Sequence, residues 1–248
     1  MSRVFVYELR RLFGAKTFAG ALLISLFYAW QTLHTKVIRG IAHTAPFSPW
    51  SFGAYLAVLL PLLCALMYLL LWDVFSPAAQ RLRPLTEASG VDMRRYYLLR
   101  FTAVGLVCFV FMLLLAAAGI AFVGSLFPIC PADFIFPFLL CVVPSLIFLL
   151  GAGAFFGSLR PAFIFVLIPV MLAFGISPLP LWAQPFMSGF FESYPLMLTE
   201  LDPAFSVPVS LLVCRIAYTL LGAFLLYAAA KRAALGQNSG HSPAIVLP

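Results

Sequence analysis

Long apolar runs separated by short basic clusters set the pattern of this chain. Charge-free stretches occupy 17–35, 40–72, 101–132, 134–159 and 161–191, and a sixth, 207–230, is interrupted once by Arg215. A bilayer core of about 30 Å needs about 20 apolar helical residues at ~1.5 Å each. Six spans are therefore predicted at 17–35, 51–72, 101–126, 134–157, 161–181 and 207–230. The runs are too long and continuous for barrel strands, and strand-type alternation is absent. The predicted fold is an all-α polytopic membrane protein: one transmembrane domain over 1–235, then a short flexible tail over 236–248.

The residues before the first run are too polar to cross. Phe5, Leu9, Leu12 and Phe13 recur at helical spacing beside Arg10 and Arg11, which predicts an N-terminal helix lying in the membrane interface. This basic-then-apolar start looks like a signal peptide. No small-x-small cleavage site follows Trp30, and five more spans come after, so an uncleaved first span is expected. Pro61, Pro144 and Pro169 fall inside spans, where each removes a backbone donor. Gly151, Gly153 and Gly157 precede a turn at Arg160-Pro161, and such small residues let helices approach closely.

Composition closes off the soluble alternatives. Apolar residues make up 64% of the 248 and charged residues 9%, against roughly 45–50% and about 25% in soluble domains. A soluble domain, a disordered chain and a disulfide-stapled secreted module are excluded. The net charge of +7 then reads as topology, not as affinity for nucleic acid. With the N-terminus placed inside, Arg3, Arg10, Arg11, Lys16, Arg81, Arg83, Arg94, Arg95, Arg100, Arg160, Lys231 and Arg232 are cytoplasmic, and only Lys36 and Arg39 are external. That bias predicts a multi-pass protein of the cytoplasmic (inner) membrane with both termini in the cytoplasm. The five cysteines, Cys64, Cys108, Cys130, Cys141 and Cys214, have no paired spacing and read as small apolar residues.

Catalytic motifs are missing from the sequence. It contains neither G-x-x-x-x-G-K-[ST] nor H-E-x-x-H. His34 and His43 lack a third ligand nearby, a weak pattern for metal. Intramembrane ionisable residues of the kind that carry protons or sodium are scarce. Arg215 is the one charge well inside a span. The expected role for it is to snorkel toward the outer surface or to pair with Glu200 or Asp202, with a substrate contact as the alternative.

The longest cytoplasmic stretch, 73–100, mixes both charge signs with apolar residues and has room for a short helix and a return. Asp92 stands where an N-cap would precede a helix leading into the third span, and Arg94, Arg95 and Arg100 mark the membrane surface.

A basic interfacial N-terminus, six spans, this long loop and its close at Gly90-Val91-Asp92-Met93-Arg94-Arg95-Tyr96-Tyr97-Leu98-Leu99-Arg100-Phe101 together resemble the ABC type-2 exporter permeases. The stretch from Gly151 to Arg160 is similar to the family's turn before span five. The usual Glu-x-Gly-Thr-like element is replaced by Gln80-Arg81-Leu82-Arg83-Pro84-Leu85. The resemblance implies a permease that works as a homodimer or heterodimer in the lipid bilayer and docks a separate ATPase subunit. It implies no cofactor in this chain, with ATP and Mg held by that partner. A coupling helix over residues 80–95 would then place Leu82 and Leu85 as buried knobs. Gln80, Arg81, Arg83, Glu87, Asp92, Arg94 and Arg95 would stand around them, with Arg81, Arg83, Glu87 and Arg94 as rim contacts. It also implies short outer helices within 183–203. The apolar outer region and nearly charge-free bundle suit an amphiphilic substrate. A six-span scaffold or assembly factor and an intramembrane enzyme are the competing readings.

Overall fold

The computed structural model describes residues 2–46, 48–76, 79, 81, 92–176, 180, 184–198 and 200–235. Among these, regular structure is helical, with one isolated antiparallel bridge between Ile41 and Thr44. The helices are α1 (Ser2–Phe13), α2 (Lys16–Thr32), α3 (Pro49–Phe75), α4 (Met93–Leu126), α5 (Ile135–Leu159), α6 (Phe163–Ile176), α7 (Ser188–Met197) and α8 (Val209–Leu235). A π-helical turn, Leu33–Val37, prolongs α2, and a 3-10 turn, Pro131–Phe134, leads into α5. The protein is an all-α polytopic membrane protein.

Local chemistry fixes two starts. Ser48 caps α3, its Oγ accepting from Ser51 N at 3.2 Å, and Pro49 follows at the first helical position, where a missing N–H costs nothing. Asp92 caps α4 as its position predicts, with Oδ1 accepting from Arg94 N at 3.0 Å. That start at Met93 lies before the predicted span start at 101. The early turns carry Arg94, Arg95 and Arg100 in helical register.

Helices α3, α4, α5 with its preceding turn, and α8 are each long and apolar enough to cross a bilayer. The pair Val4–Phe13 and Lys16–Val37, bent by 52°, makes a fifth crossing if counted as one. Pro61, Pro144 and Pro169 lie inside helices, as expected. Helix α6 is apolar, but its 14 residues rise only about 21 Å against a core of about 30 Å. Residues 177–179 and 181 of the predicted fifth span lie outside the described residues, as do 182–183 and the 236–248 tail.

The contacts orient the elements. Glu8 of α1 meets Arg100 of α4, Arg94 of α4 covers Tyr227 of α8, and Trp72 of α3 packs on Phe165 of α6. One end of the bundle therefore gathers α1, the last turns of α3, α5 and α8, and the first turns of α4 and α6. Arg10, Arg11, Lys16, Arg94, Arg95, Arg100, Arg160, Lys231 and Arg232 belong to this basic end. Lys36 and Arg39 belong to the far end, where Lys36 pairs with Glu192 of α7 at 3.6 Å.

Helix α3 is apolar on all sides and buried along most of its length, the pattern of a central helix. Around it pack α2, α4, α5, α6 and α7. Helix α8 lies outside on α5, exposing Val209, Val213, Ile216, Leu220 and Phe224. Its hold on α5 depends on two glycines. A Cβ on Gly151 would lie 2.2 Å from the Gly222 carbonyl oxygen, and one on Gly222 would lie 2.4 Å from that of Ile147. The backbones touch where any side chain would part them. At the far end, Trp50 is fully buried among Phe190, Phe191, Tyr194 and Phe205 and donates Nε1–H to the Pro203 carbonyl at 2.9 Å. This joins the start of α3 to α7 and to the approach to α8.

Candidate functional site

Two polar centres interrupt the apolar interior. The first lies at the basic end. Helix α1 turns Leu12 fully inward and Phe5 and Leu9 partly so, while Phe13 points outward and stacks edge-on against Phe18 at 5.2 Å. Glu8 stands on the same helical stripe as Phe5, Leu9 and Leu12 and is buried with them. Its Oε1 lies 3.3 Å from Arg100 Nε and its Oε2 lies 2.9 Å from Arg11 Nη2. Arg11 Nη2 in turn reaches Asp73 Oδ2 at 2.8 Å. Arg100 Nη1 donates to the Val74 carbonyl at 3.3 Å.

The result is a chain of alternating charges, Asp73–Arg11–Glu8–Arg100, with no net charge. It ties α1 to the last turn of α3 and to α4. Those two helices flank the segment 76–92. The chemistry follows from helix ends. The final carbonyls of α3 lack intrahelical donors, and the guanidinium of Arg100 supplies one while meeting the negative end of the helix dipole. The sequence expectation places Arg100 at the membrane surface; in the fold it is buried. Glu8 is not among the residues singled out from the sequence, although the spacing 5, 8, 9, 12 puts a single carboxylate on an apolar stripe.

The predicted coupling residues divide. Gln80, Leu82, Arg83, Leu85 and Glu87 lie outside the described residues. Arg81 is helical and exposed. Arg95 Nε sits 3.5 Å from Asp92 Oδ2, within one helical turn. Arg94 covers the Tyr227 ring at 4.5 Å, so its charge bridges α4 to α8.

The second centre surrounds Arg215. This side chain is 2% exposed, about 9 Å along α8 from the helix start. Its Nη1 donates to the Pro185 carbonyl at 3.1 Å and its Nη2 donates to the Gln184 carbonyl. The Tyr218 ring lies 5.4 Å from the guanidinium carbon. Ser145 Oγ of α5 is 2.8 Å from both the Pro185 and the Cys141 carbonyl oxygens, and its one proton serves them in common. Gln184 Oε1 accepts from Gly189 N at 2.9 Å, and Phe186 sits over Gly175 of α6. Residues 184–187 thus dip into the bundle as irregular backbone, a conformation tolerated at membrane depth only inside protein.

This corrects the expectation for Arg215. It does not snorkel, and it forms no ion pair among the described residues. Asp202 is engaged by Ala45 N at 3.0 Å and Glu192 by Lys36. The dipping loop brings two carbonyls close enough to replace a carboxylate. Near the far end, an apolar hollow of about 300 Å³ opens between α4 and α5, walled by Phe52, Phe109, Ile120, Phe134 and Phe138.

No family model matches this chain, and no curated protein or solved structure matches it.

Proposed function

We propose that this chain is the membrane-spanning permease subunit of an ATP-binding-cassette exporter, coupled to a separate ATPase and paired with an identical or different permease. The observation that carries the proposal is the charge chain Asp73–Arg11–Glu8–Arg100. It joins α1, the end of α3 and the start of α4, so that a push on the intervening loop moves all three together. A helix is stiff along its axis, and a buried ion pair resists separation because either charge left unpaired costs several kcal/mol.

Further features support the reading. The sequence has no P-loop, so fuel comes from another chain. Six spans in the inner membrane, with both termini inside, agree with the segregated basic residues. In this reading α6 would be a short fifth passage and α7 a short outer helix. The apolar hollow and the scarcity of interior charge suit an amphiphilic cargo.

The test is capture. Purified from its native membrane in mild detergent, the chain should bring down a P-loop ATPase that has no spans of its own, and the pair should hydrolyse ATP. The isolated chain should not. Hydrolysis by this chain with contaminants excluded, or native complexes free of any ATPase, would overturn the proposal.

A further inference from the structure

We propose that Arg215 and the start of α7 form a binding site for an oxyanion, the phosphate or carboxylate head of an amphiphilic molecule. The inference stands apart from transport, since a chain that moved nothing would still bind.

Charge is the first argument. Arg215 is a full positive charge buried at membrane depth, and such a residue is normally paired with an acid or placed for function. The ionisable side chains around it are Cys141, Tyr218 and Cys214. None is a carboxylate. Among the described residues the charge is met by two carbonyls and by no carboxylate.

Geometry is the second argument. Arg215 is 2% exposed, and its buried Nε has no hydrogen-bond partner. An arginine fork offers five N–H donors suited to a two-oxygen acceptor. Here two point at carbonyls of Gln184 and Pro185, and Nε–H is unused. The same short segment opens α7, a helix of 10 residues whose N-cap, Met187, provides no side-chain cap. Gln184 links the two features directly: its carbonyl accepts from Arg215, and its side chain accepts from Gly189 N in the first turn of α7. The positive end of a helix dipole and a guanidinium therefore meet on one loop.

An arriving oxyanion would exchange neutral carbonyls for a charged acceptor, and charge-assisted hydrogen bonds are about twice as strong as neutral ones. The segment 184–187 must shift to admit it. Ser145 opposes that shift by holding the Pro185 carbonyl.

The experiment measures binding to the full chain in neutral detergent by isothermal titration. The probes are dihexanoyl phosphatidylglycerol, dihexanoyl phosphatidylcholine and sodium phosphate. Phosphatidylglycerol should bind about tenfold or more tightly than phosphatidylcholine, the worth of one charge-assisted hydrogen bond. Arg215→Met should abolish that preference while leaving the basic end intact, which separates this site from surface arginines. Ser145→Ala should raise the affinity for phosphatidylglycerol, because the loop then yields more easily. Displacement of the lipid by millimolar sodium phosphate would assign the site to the oxyanion head; its failure would assign it to the anionic amphiphile as a whole. Equal binding of both lipids by the unaltered chain, or an undiminished preference in Arg215→Met, overturns the proposal. Where Arg215→Met does not fold, Ser145→Ala decides, and unchanged affinity overturns it.

Discussion

Glu8 on α1 and Arg100 on α4 face each other inside the protein, Nε to Oε1 at 3.3 Å, and neither side chain is more than 9% exposed. The helices that carry them are far apart in sequence, and the pair joins Leu12, Phe5 and Leu9 in tying the N-terminal helix to the bundle at its basic end. Removing Glu8 leaves Arg100 buried with only the Val74 carbonyl, at a cost of about 3–5 kcal/mol, whereas removing Arg100 leaves Glu8 its second partner, Arg11, and costs less. Glu8→Met and Arg100→Met should each lower the midpoint of thermal unfolding in detergent, and the double variant should be less damaged than the sum. Arg11→Ala should cost less, about 0–1 kcal/mol, because Arg11 and Asp73 are partly exposed and Glu8 keeps Arg100 as a partner. Additive losses in the Glu8 and Arg100 cycle would show that the two charges act independently.

Gly151 should not tolerate a methyl group. Alanine there places Cβ 2.2 Å from the Gly222 carbonyl oxygen, and this neighbour is backbone that a side-chain rotation cannot relieve. Overpacking of this kind costs about 1–3 kcal/mol. Gly20→Ala in α2 meets nothing within 4 Å and should be neutral or gain up to about 1 kcal/mol of helix propensity. Size-exclusion profiles and unfolding midpoints of the two variants should diverge accordingly.

Orientation is tested by thiol labelling of intact cells. Arg81 and Glu200 are exposed at opposite ends of the protein, and Cys130 is the exposed native thiol. In a Cys130→Ser background, a membrane-impermeant maleimide should modify Glu200→Cys and spare Arg81→Cys until the cells are opened. Labelling of Arg81→Cys from outside would invert the topology and remove the proposed ATPase from reach of the loop.

The loop itself should dock through its leucines. A buried apolar anchor typically costs about 2 kcal/mol or more on truncation, whereas rim charges contribute about 0–1 kcal/mol. Leu82→Ala with Leu85→Ala should therefore weaken capture of the ATPase more than Arg81→Ala with Arg83→Ala, while membrane insertion persists. Normal capture and transport by the leucine variant would leave the loop as a connector that only sets topology.

Membrane character, the helical class and the gathering of basic residues at one end were legible in the residues, because each depends on local sums: apolar length against bilayer thickness, and charge counted loop by loop. The cap at Asp92 was legible for the same reason, while a short helix before the last span was expected only from the family resemblance. The partners of the interior charges were not legible. Arg215 is satisfied by carbonyls of Gln184 and Pro185, 31 and 30 positions away, because residues 184–187 dip into the bundle. Arg100 is buried because α1 folds back at 52° and offers Glu8. The two glycines that seat α8 on α5 likewise acquire their meaning from a crossing of helices remote in the chain. Desolvated charges and touching backbones are settled by which surfaces meet, and pairwise contact between distant segments leaves no periodic trace along a sequence.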